Sequence, residues 1–355
     1  MKKIMLHGAT DCGSSNYGDY LYGEIVYKYL KDKGYDVCFY NPSSFFVENL
    51  EGYKQQNLFN KKEADGILYI PGGYFGEGHD ARFRDNFVQF LRFMPLGIWA
   101  SYNRKKMGVL AIGAGPNKNL FMNFGIKRIC KKSGFVTTRD YESYQALNKL
   151  VGSNNIKQCG DIIITQEYHN SVVDEQVNDI LDKVNRKKII LVHYNHDRKA
   201  LDLFAQSIKK FIEENNDFVV VVTADTIMNV NKELFDIFKN NVECNCFYYE
   251  YKTPTGLTSM IEHSDLIITS KLHLGVVGCV LNKSVIPVAC HPEKTYRFYE
   301  SINEQDRFLN LYNTSVDEIV NVLGNYKNKP IAIKPEIIGI ASKSFEILDS
   351  WLKER

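Results

Sequence analysis

The chain has 355 residues, more than one hydrophobic core comfortably serves, so two domains of ordinary size are expected. Hydrophobic residues make up 44% and charged residues 24%, the balance of an ordinary globular protein. A formal net charge of +2 gives no general basis for nucleic-acid binding, so any anion binding must come from local placement of Lys, Arg and His.

Residues 1–6 form a short strand-like run that cannot serve as the apolar core of a signal peptide, and no stretch approaches the length of a membrane span. In the first half, strand-like runs at 3–6, 37–40, 66–70, 108–112, 135–138 and 157–159 alternate with helical candidates near 20–33, 83–103, 123–133 and 141–150. The charged stretch 166–188 holds no convincing strand, and the domain boundary is placed inside it, at 170/171. The alternation then restarts with strands at 189–193, 218–223, 247–249, 266–269 and 285–289 and helices near 199–214, 232–238, 255–263 and 274–281. Leu201, Phe204, Ile208 and Phe211 give the first of those helices a sound apolar stripe. Residues 325–335 read as a linker, so the second domain is taken as 171–330. In the remainder, 331–355, Ile337, Ile340 (or Ala341), Phe345, Leu348 and Leu352 recur at helical spacing, and this last helix is expected to pack back on the first domain. Regular alternation of this kind predicts an α/β protein with parallel sheets.

Parallel strands leave their following loops on one rim. The loop after the first strand carries Asn16-Tyr17-Gly18-Asp19, where Asp19 either caps a helix or acts as a base. Gly72 and Gly73 follow the third strand, and Gly113 and Gly115 the fourth; glycines there usually mark close approach of a ligand or another backbone. Arg139 ends the fifth strand, either as an anion-binding fork or in a surface pair with Asp140 or Glu142, and Asp161 follows the sixth. Neither phosphate-loop nor dinucleotide fingerprint is present.

The richest stretch is Ser270-Lys271-Leu272-His273, where an apolar strand turns directly into a helix. A helix start at the carboxyl edge of a sheet favours anions, and a cation with an imidazole there can hold a phosphate or carboxylate and move a proton. His291 and Lys294 follow the next strand. His193 and His196 with Asp197, or His79 with Asp80, could hint at a metal, but neither set has a third ligand at a telling spacing, and no metal is expected. The aromatic and basic run 83–106 suits a membrane surface or, preferably, a helix buried between sheet and neighbour, bent or broken at Pro95. The eight scattered cysteines are expected to be reduced, in a cytoplasmic protein.

The order Asn16-Tyr17-Gly18-Asp19, Pro71-Gly72-Gly73, Ile112-Gly113-Ala114-Gly115-Pro116, Thr138-Arg139-Asp140, Gly160-Asp161, Ser270-Lys271-Leu272-His273 and Lys294 resembles the polysaccharide pyruvyl transferases. The resemblance implies a GT-B-like fold, two Rossmann-type domains whose parallel sheets face a central cleft. It also implies transfer of the enolpyruvyl-derived group of phosphoenolpyruvate to a sugar of a surface polysaccharide or cell-wall precursor, nucleotide- or lipid-linked or free, without a cofactor. By the same resemblance His273 serves the phosphoenolpyruvate site as phosphate ligand or proton donor and Arg139 is the other donor-binding cation. Asp19 is the candidate for hydroxyl activation, and Lys294 assists anion binding. Ser270, Lys271, Leu272, Asn16, Gly18, Gly72, Gly73, Gly113 and Gly115 complete the expected substrate contacts. The family usually has Arg where this chain has Lys271. The location implied is the cytoplasm, with the inner membrane face open to it. The competing readings are a GT-B nucleotide-sugar glycosyltransferase, for which Glu293 is the nearby ribose-gripping carboxylate, and a non-catalytic sugar- or anion-binding relative.

Overall fold

The computed structural model describes residues 2–11, 15–53, 59–76, 83–168, 174–194 and 198–354. The chain forms two compact units: Met1–Ser14, Asp19–Thr165 and Pro335–Arg355 make the first, Ser15–Gly18 and Gln166–Lys334 the second.

In the first unit β1 (Lys3–His7), α1 (Tyr17–Asp32, whose first two residues belong to the second unit), β2 (Asp36–Phe39), α2 (Ser44–Asn49), β3 (Gly66–Tyr69), α3 (Phe83–Tyr102), β4 (Lys106–Ile112), α4 (Leu120–Lys132), β5 (Phe135–Thr138), α5 (Tyr141–Val151) and β6 (Ile156–Gln158) follow in order. The six strands form one parallel sheet, β2-β1-β3-β4-β5-β6. β3 and β5 are buried along their whole length, as a sheet covered on both faces requires. Helix ends follow local chemistry. Asn119 accepts from the N–H groups of Phe121 and Met122, which starts α4 three residues before the expected 123. Asp140 caps α5 and Gly152, at φ 60°, closes it.

Pro95 does not break α3, which runs unbroken for 20 residues. Pro95 lies on the exposed side, where a carbonyl deprived of its partner is not shut away from solvent. The expectation of a helix buried on its neighbours holds for one face only. Phe93, Met94, Leu96 and Ala100 join the core, while Phe87, Val88 and Leu91 stay exposed.

His7 closes β1 inside an aromatic cage of Tyr40, Tyr69 and Phe93. Burial lowers its pKa from 6.5 to about 4, against a weaker opposing pull from the Phe93 carbonyl. Between those values the unfolded chain binds the extra proton, so this stability is complete above pH 6.5 and is lost as pH falls toward 4. At 1.36 kcal/mol per unit the loss comes to about 3 kcal/mol. Unfolding curves across that window are expected to show the decline in the wild type and to lose most of it in His7→Phe.

The second unit runs α6 (Glu175–Val184), β7 (Lys188–His193), α7 (Arg198–Glu214), β8 (Phe218–Thr223), α8 (Asn231–Val242), β9 (Cys246–Tyr248), α9 (Pro254–Glu262), β10 (Leu266–Thr269), α10 (Leu272–Val280), β11 (Ser284–Ala289), α11 (Pro292–Ser301), β12 (Leu309–Asn310) and α12 (Val316–Tyr326). Its sheet, again parallel, has the order β12-β11-β10-β7-β8-β9. From β7 the chain moves outward to β8 and β9, then returns to β10 on the other side of β7. The β7/β10 boundary is therefore a switch point, where the following loops part and leave room for a ligand at the carboxyl edge. The corresponding reversal in the first sheet lies between β1 and β3.

The last helix, α13 (Pro335–Lys353), returns to the first unit. Its buried face carries Ala341, Phe345, Leu348, Trp351 and Leu352, whereas Ile340 is exposed, so the stripe turns through Ala341. Trp351 meets Phe135 edge to face at 5.6 Å, and a Cβ on Gly160 would come within 2.9 Å of the Ala341 Cβ.

Candidate active site

In the first unit Arg139 follows β5 with its side chain 9% exposed. It faces Asp140 at 3.5 Å and donates from Nη1 to the Tyr22 hydroxyl at 3.5 Å, while Tyr22 donates to Asp161 Oδ2 at 2.6 Å. Arg139 is thus a nearly buried cation in a Tyr22–Asp161–Asp140 setting, not a surface pair. Burial opposes its charge, but Tyr22, Asp161 and Asp140 outweigh that and raise its pKa further, so it is a permanent cation. Asp161 also accepts from the Ile163 N–H at 3.0 Å, which ties the turn after β6 to the same set. Gly113 makes room for this arrangement: a Cβ there would lie 2.8 Å from Arg139 Cζ and Nε.

The other glycines of this unit divide. The space above Gly72 is taken by the Tyr74 ring, 2.6 Å from an added Cβ, so its close neighbour is a side chain of the same loop. Gly73 is exposed, and a Cβ on Gly115 would meet nothing within 4 Å. The loops are adjacent, with Gly113 N–H donating to the Gly72 carbonyl at 2.8 Å. Asp19 lies in the first turn of α1, half-buried.

In the second unit Ser270, Lys271 and His273 lie at the switch point. Lys271 is the N-cap of α10 and supplies no side-chain cap, so the first-turn N–H groups point outward from the carboxyl edge without an internal acceptor from that side chain. Ser270 is 1% exposed and its Oγ has no hydrogen-bond partner among the described residues. The ring of His273 is pressed against Gly18: a Cβ there would fall 1.8 Å from Nδ1. Leu272 opens α10, and Lys294 sits half-buried in the first turn of α11, one strand further along. Glu293 is exposed and faces Arg297 at 3.7 Å.

Beneath the loop runs a buried polar chain that sequence reading did not assemble. Thr269 Oγ1 accepts from the Lys271 N–H at 3.1 Å and meets His193 Nδ1 at 3.0 Å. His193 Nε2 lies 3.5 Å from Asp225 Oδ1; Asn16 donates to Asp225 Oδ2 at 3.3 Å, and the Tyr17 N–H to the Asp225 carbonyl at 3.0 Å. Burial works against the Asp225 charge, but His193, then Lys271 and Thr226, outweigh it and hold the carboxyl well below its usual range. His193 therefore anchors the loop. His79, Asp80, His196 and Asp197 lie outside the described residues, among which no cluster of three metal-binding side chains occurs.

Removing the His193 ring leaves the buried Asp225 carboxylate short of one partner, and leaving a buried polar group unsatisfied typically costs about 1–3 kcal/mol. His193→Phe is expected to lower the unfolding temperature sharply and Asp225→Asn much less, because the amide carries no charge to strand. The Asp225 contribution is present above about pH 4, the ordinary carboxylate value, and is lost as pH falls through the lower folded value. Acid unfolding of the wild type, compared with Asp225→Asn, checks that sign.

These sheets and their connections are those of the GT-B architecture. The UDP-GlcNAc 2-epimerase from Neisseria meningitidis bound to UDP-GlcNAc superposes with a TM-score of 0.63 at 14% identity, covering 100% of both chains. A putative UDP-N-acetylglucosamine 2-epimerase from Listeria monocytogenes gives 0.67 at 11%, over 99% of this chain and 96% of that one. UDP-GlcNAc 2-epimerase from Methanocaldococcus jannaschii gives 0.66 at 13%, over 100% of both. No curated protein matches the chain. Residues 16–292 match the family model for polysaccharide pyruvyl transferase, and the chain belongs to that family.

Proposed function

We propose that the protein transfers the enolpyruvyl-derived group of phosphoenolpyruvate to two hydroxyls of a sugar in a surface polysaccharide or cell-wall precursor. The product is a pyruvate ketal, and phosphate is released. The observation that carries this reading is the His273 ring held against Gly18 at the start of α10, beside Lys271, at the switch point of the second sheet.

The reaction needs a proton on the donor methylene, two C–O bonds to the former enol carbon, and departure of phosphate. Of the two hydroxyl protons displaced, one balances the new methyl group and the other leaves with phosphate. His273 is suited to deliver the first proton, since an imidazole can carry one near neutral pH. Lys271, Lys294, the Ser270 hydroxyl and the α10 N–H groups are suited to the phosphate, whose negative charge grows as it leaves. Lys271 supplies a point charge where an Arg would supply a fork, which fits a phosphate better than a planar carboxylate. Arg139, fixed by Asp161, Tyr22 and Asp140, has the planar donor array that a donor carboxylate calls for. Asp19 takes the proton of the attacking hydroxyl. Asn16 and Gly18 support this set by holding Asp225 and giving His273 its place, and Gly113 does the same for Arg139. Gly73 and Gly115 leave backbone open to the sugar. No step calls for a metal or cofactor.

The experiment is incubation with phosphoenolpyruvate and a panel of free, nucleotide-linked and lipid-linked sugars, with product mass and phosphate followed together. Nucleotide-linked sugars belong in the panel because the N. meningitidis protein of the same fold binds one. A sugar gaining a carboxyethylidene group, with equimolar phosphate, supports the proposal. Turnover of a nucleotide sugar to a glycoside, with phosphoenolpyruvate untouched, would replace it with glycosyl transfer.

A further inference from the structure

We propose that the outer face formed by α3 and α4 of the first unit docks on an anionic lipid bilayer. The face is apolar where a covered helix pair would be polar. Leu120 is 81% exposed, Leu91 55% and Phe124 54%, and Phe87, Val88 and Phe121 are exposed beside them. The two helices present one patch, since Phe121 of α4 meets Phe87 and Phe90 of α3 at ring separations of 6.2 and 5.9 Å. Monomeric surfaces seldom gather this many large apolar side chains without a partner phase.

Charge selects the partner. From 84 to 139 the chain carries eleven Lys and Arg against a single acidic residue, Asp85, whereas the whole chain is nearly balanced at 44 against 42. The cations continue the apolar lines. On α4 the exposed positions run Leu120, Phe124, Lys127, Lys131, spaced by four, three and four residues, while Met122, Ile126 and Ile129 of the same helix are buried. On α3 the exposed Arg84 and Arg92 bracket Val88 and Leu91. Apolar side chains beside cations of one sign suit a headgroup layer of opposite charge, the apolar groups entering the acyl boundary and the cations staying among phosphates. A second copy fits less well, because a two-fold contact through this face would set cations against cations. No helix among the described residues is long and apolar enough to cross a membrane, so the contact is peripheral. The inference is independent of the proposed chemistry: binding to lipid needs neither donor nor acceptor.

Co-sedimentation of the full chain with vesicles tests it, using phosphatidylcholine alone or mixed with phosphatidylglycerol. Binding is expected to the mixed vesicles only and to weaken as salt rises. Each cation near an anionic surface is worth about fivefold in affinity, so Lys127→Glu with Lys131→Glu should reduce binding by more than tenfold. The triple change Leu91→Ser, Leu120→Ser, Phe124→Ser should reduce it at least as much, with unfolding temperature unchanged because all three side chains are exposed. Absence of binding to anionic vesicles overturns the proposal, as does wild-type binding by both variants. Self-association that both variants abolish, without vesicle binding, would assign the face to a second copy instead.

Discussion

Alanine at position 18 is expected to reduce turnover of phosphoenolpyruvate by about 10²–10⁴-fold, the range for loss of a positioned proton donor. The added methyl would fall 1.8 Å from His273 Nδ1 and 2.3 Å from its Cγ, distances no contact tolerates, so the ring must swing away. The loss would not come from unfolding. Gly18 lies in the first turn of α1, and alanine is the better helix former by roughly 1 kcal/mol. Two further variants make the reasoning specific. Gly339→Ala, where an added Cβ meets nothing within 4 Å, should keep its activity. Gly18→Ala combined with His273→Ala should be no worse than His273→Ala alone, because both remove one function. Additive losses would show that Gly18 serves something other than the imidazole.

The second large effect is expected at Arg139. Arg139→Lys keeps the charge but loses the fork, and one charge-assisted hydrogen bond is worth about 1.5–3 kcal/mol, so KM for the donor should rise about 10- to 100-fold. Arg139→Ala should also destabilise the first unit, because Asp140 loses its ion-pair partner and the Tyr22 hydroxyl, which donates to Asp161, loses its contact with the guanidinium. Gly113→Ala should imitate the lysine variant without the folding defect, since its methyl would push on the guanidinium at 2.8 Å. The environment of Arg139 raises its pKa, so its part in donor binding should show no alkaline limit below pH 10. Steady-state kinetics on the three variants, with unfolding curves alongside, separate the binding loss from the folding loss.

Much of the architecture was legible because buried parallel strands are short apolar runs ended by loop residues, and β7, β8, β10 and β11 are of that kind. Helices with little apolar surface escaped. In α12 only Ile319 and Leu323 are buried, and its clearest signal was the Ser315–Glu318 capping box. For α11 the signal was Pro292 at its start, and for α6 the Asp174 cap ahead of Val177, Ile180 and Val184.

In the candidate site, Lys271 and His273 stood out because a strand turning straight into a helix marks a ligand edge whatever the partners are. Their support did not. Tyr22, Arg139 and Asp161 are joined across 117 and 139 positions, and His193 meets Asp225 and Thr269 only through the register that sets β7 between β8 and β10. Spacing along a chain carries no trace of such contacts. An acidic residue just after a strand was the available hint for Asp225, as it was for Asp140. The glycine loops misled in part, since Gly72 and Gly113 give way to Tyr74 and Arg139 of the same unit.

Phosphate release from phosphoenolpyruvate in the presence of an accepted sugar, wild type against His273→Ala, is the most direct measurement of the mechanism. A fall of about a hundredfold or more, with the unfolding temperature kept, is the predicted result. A His273→Ala protein that releases phosphate at nearly the wild-type rate would contradict it.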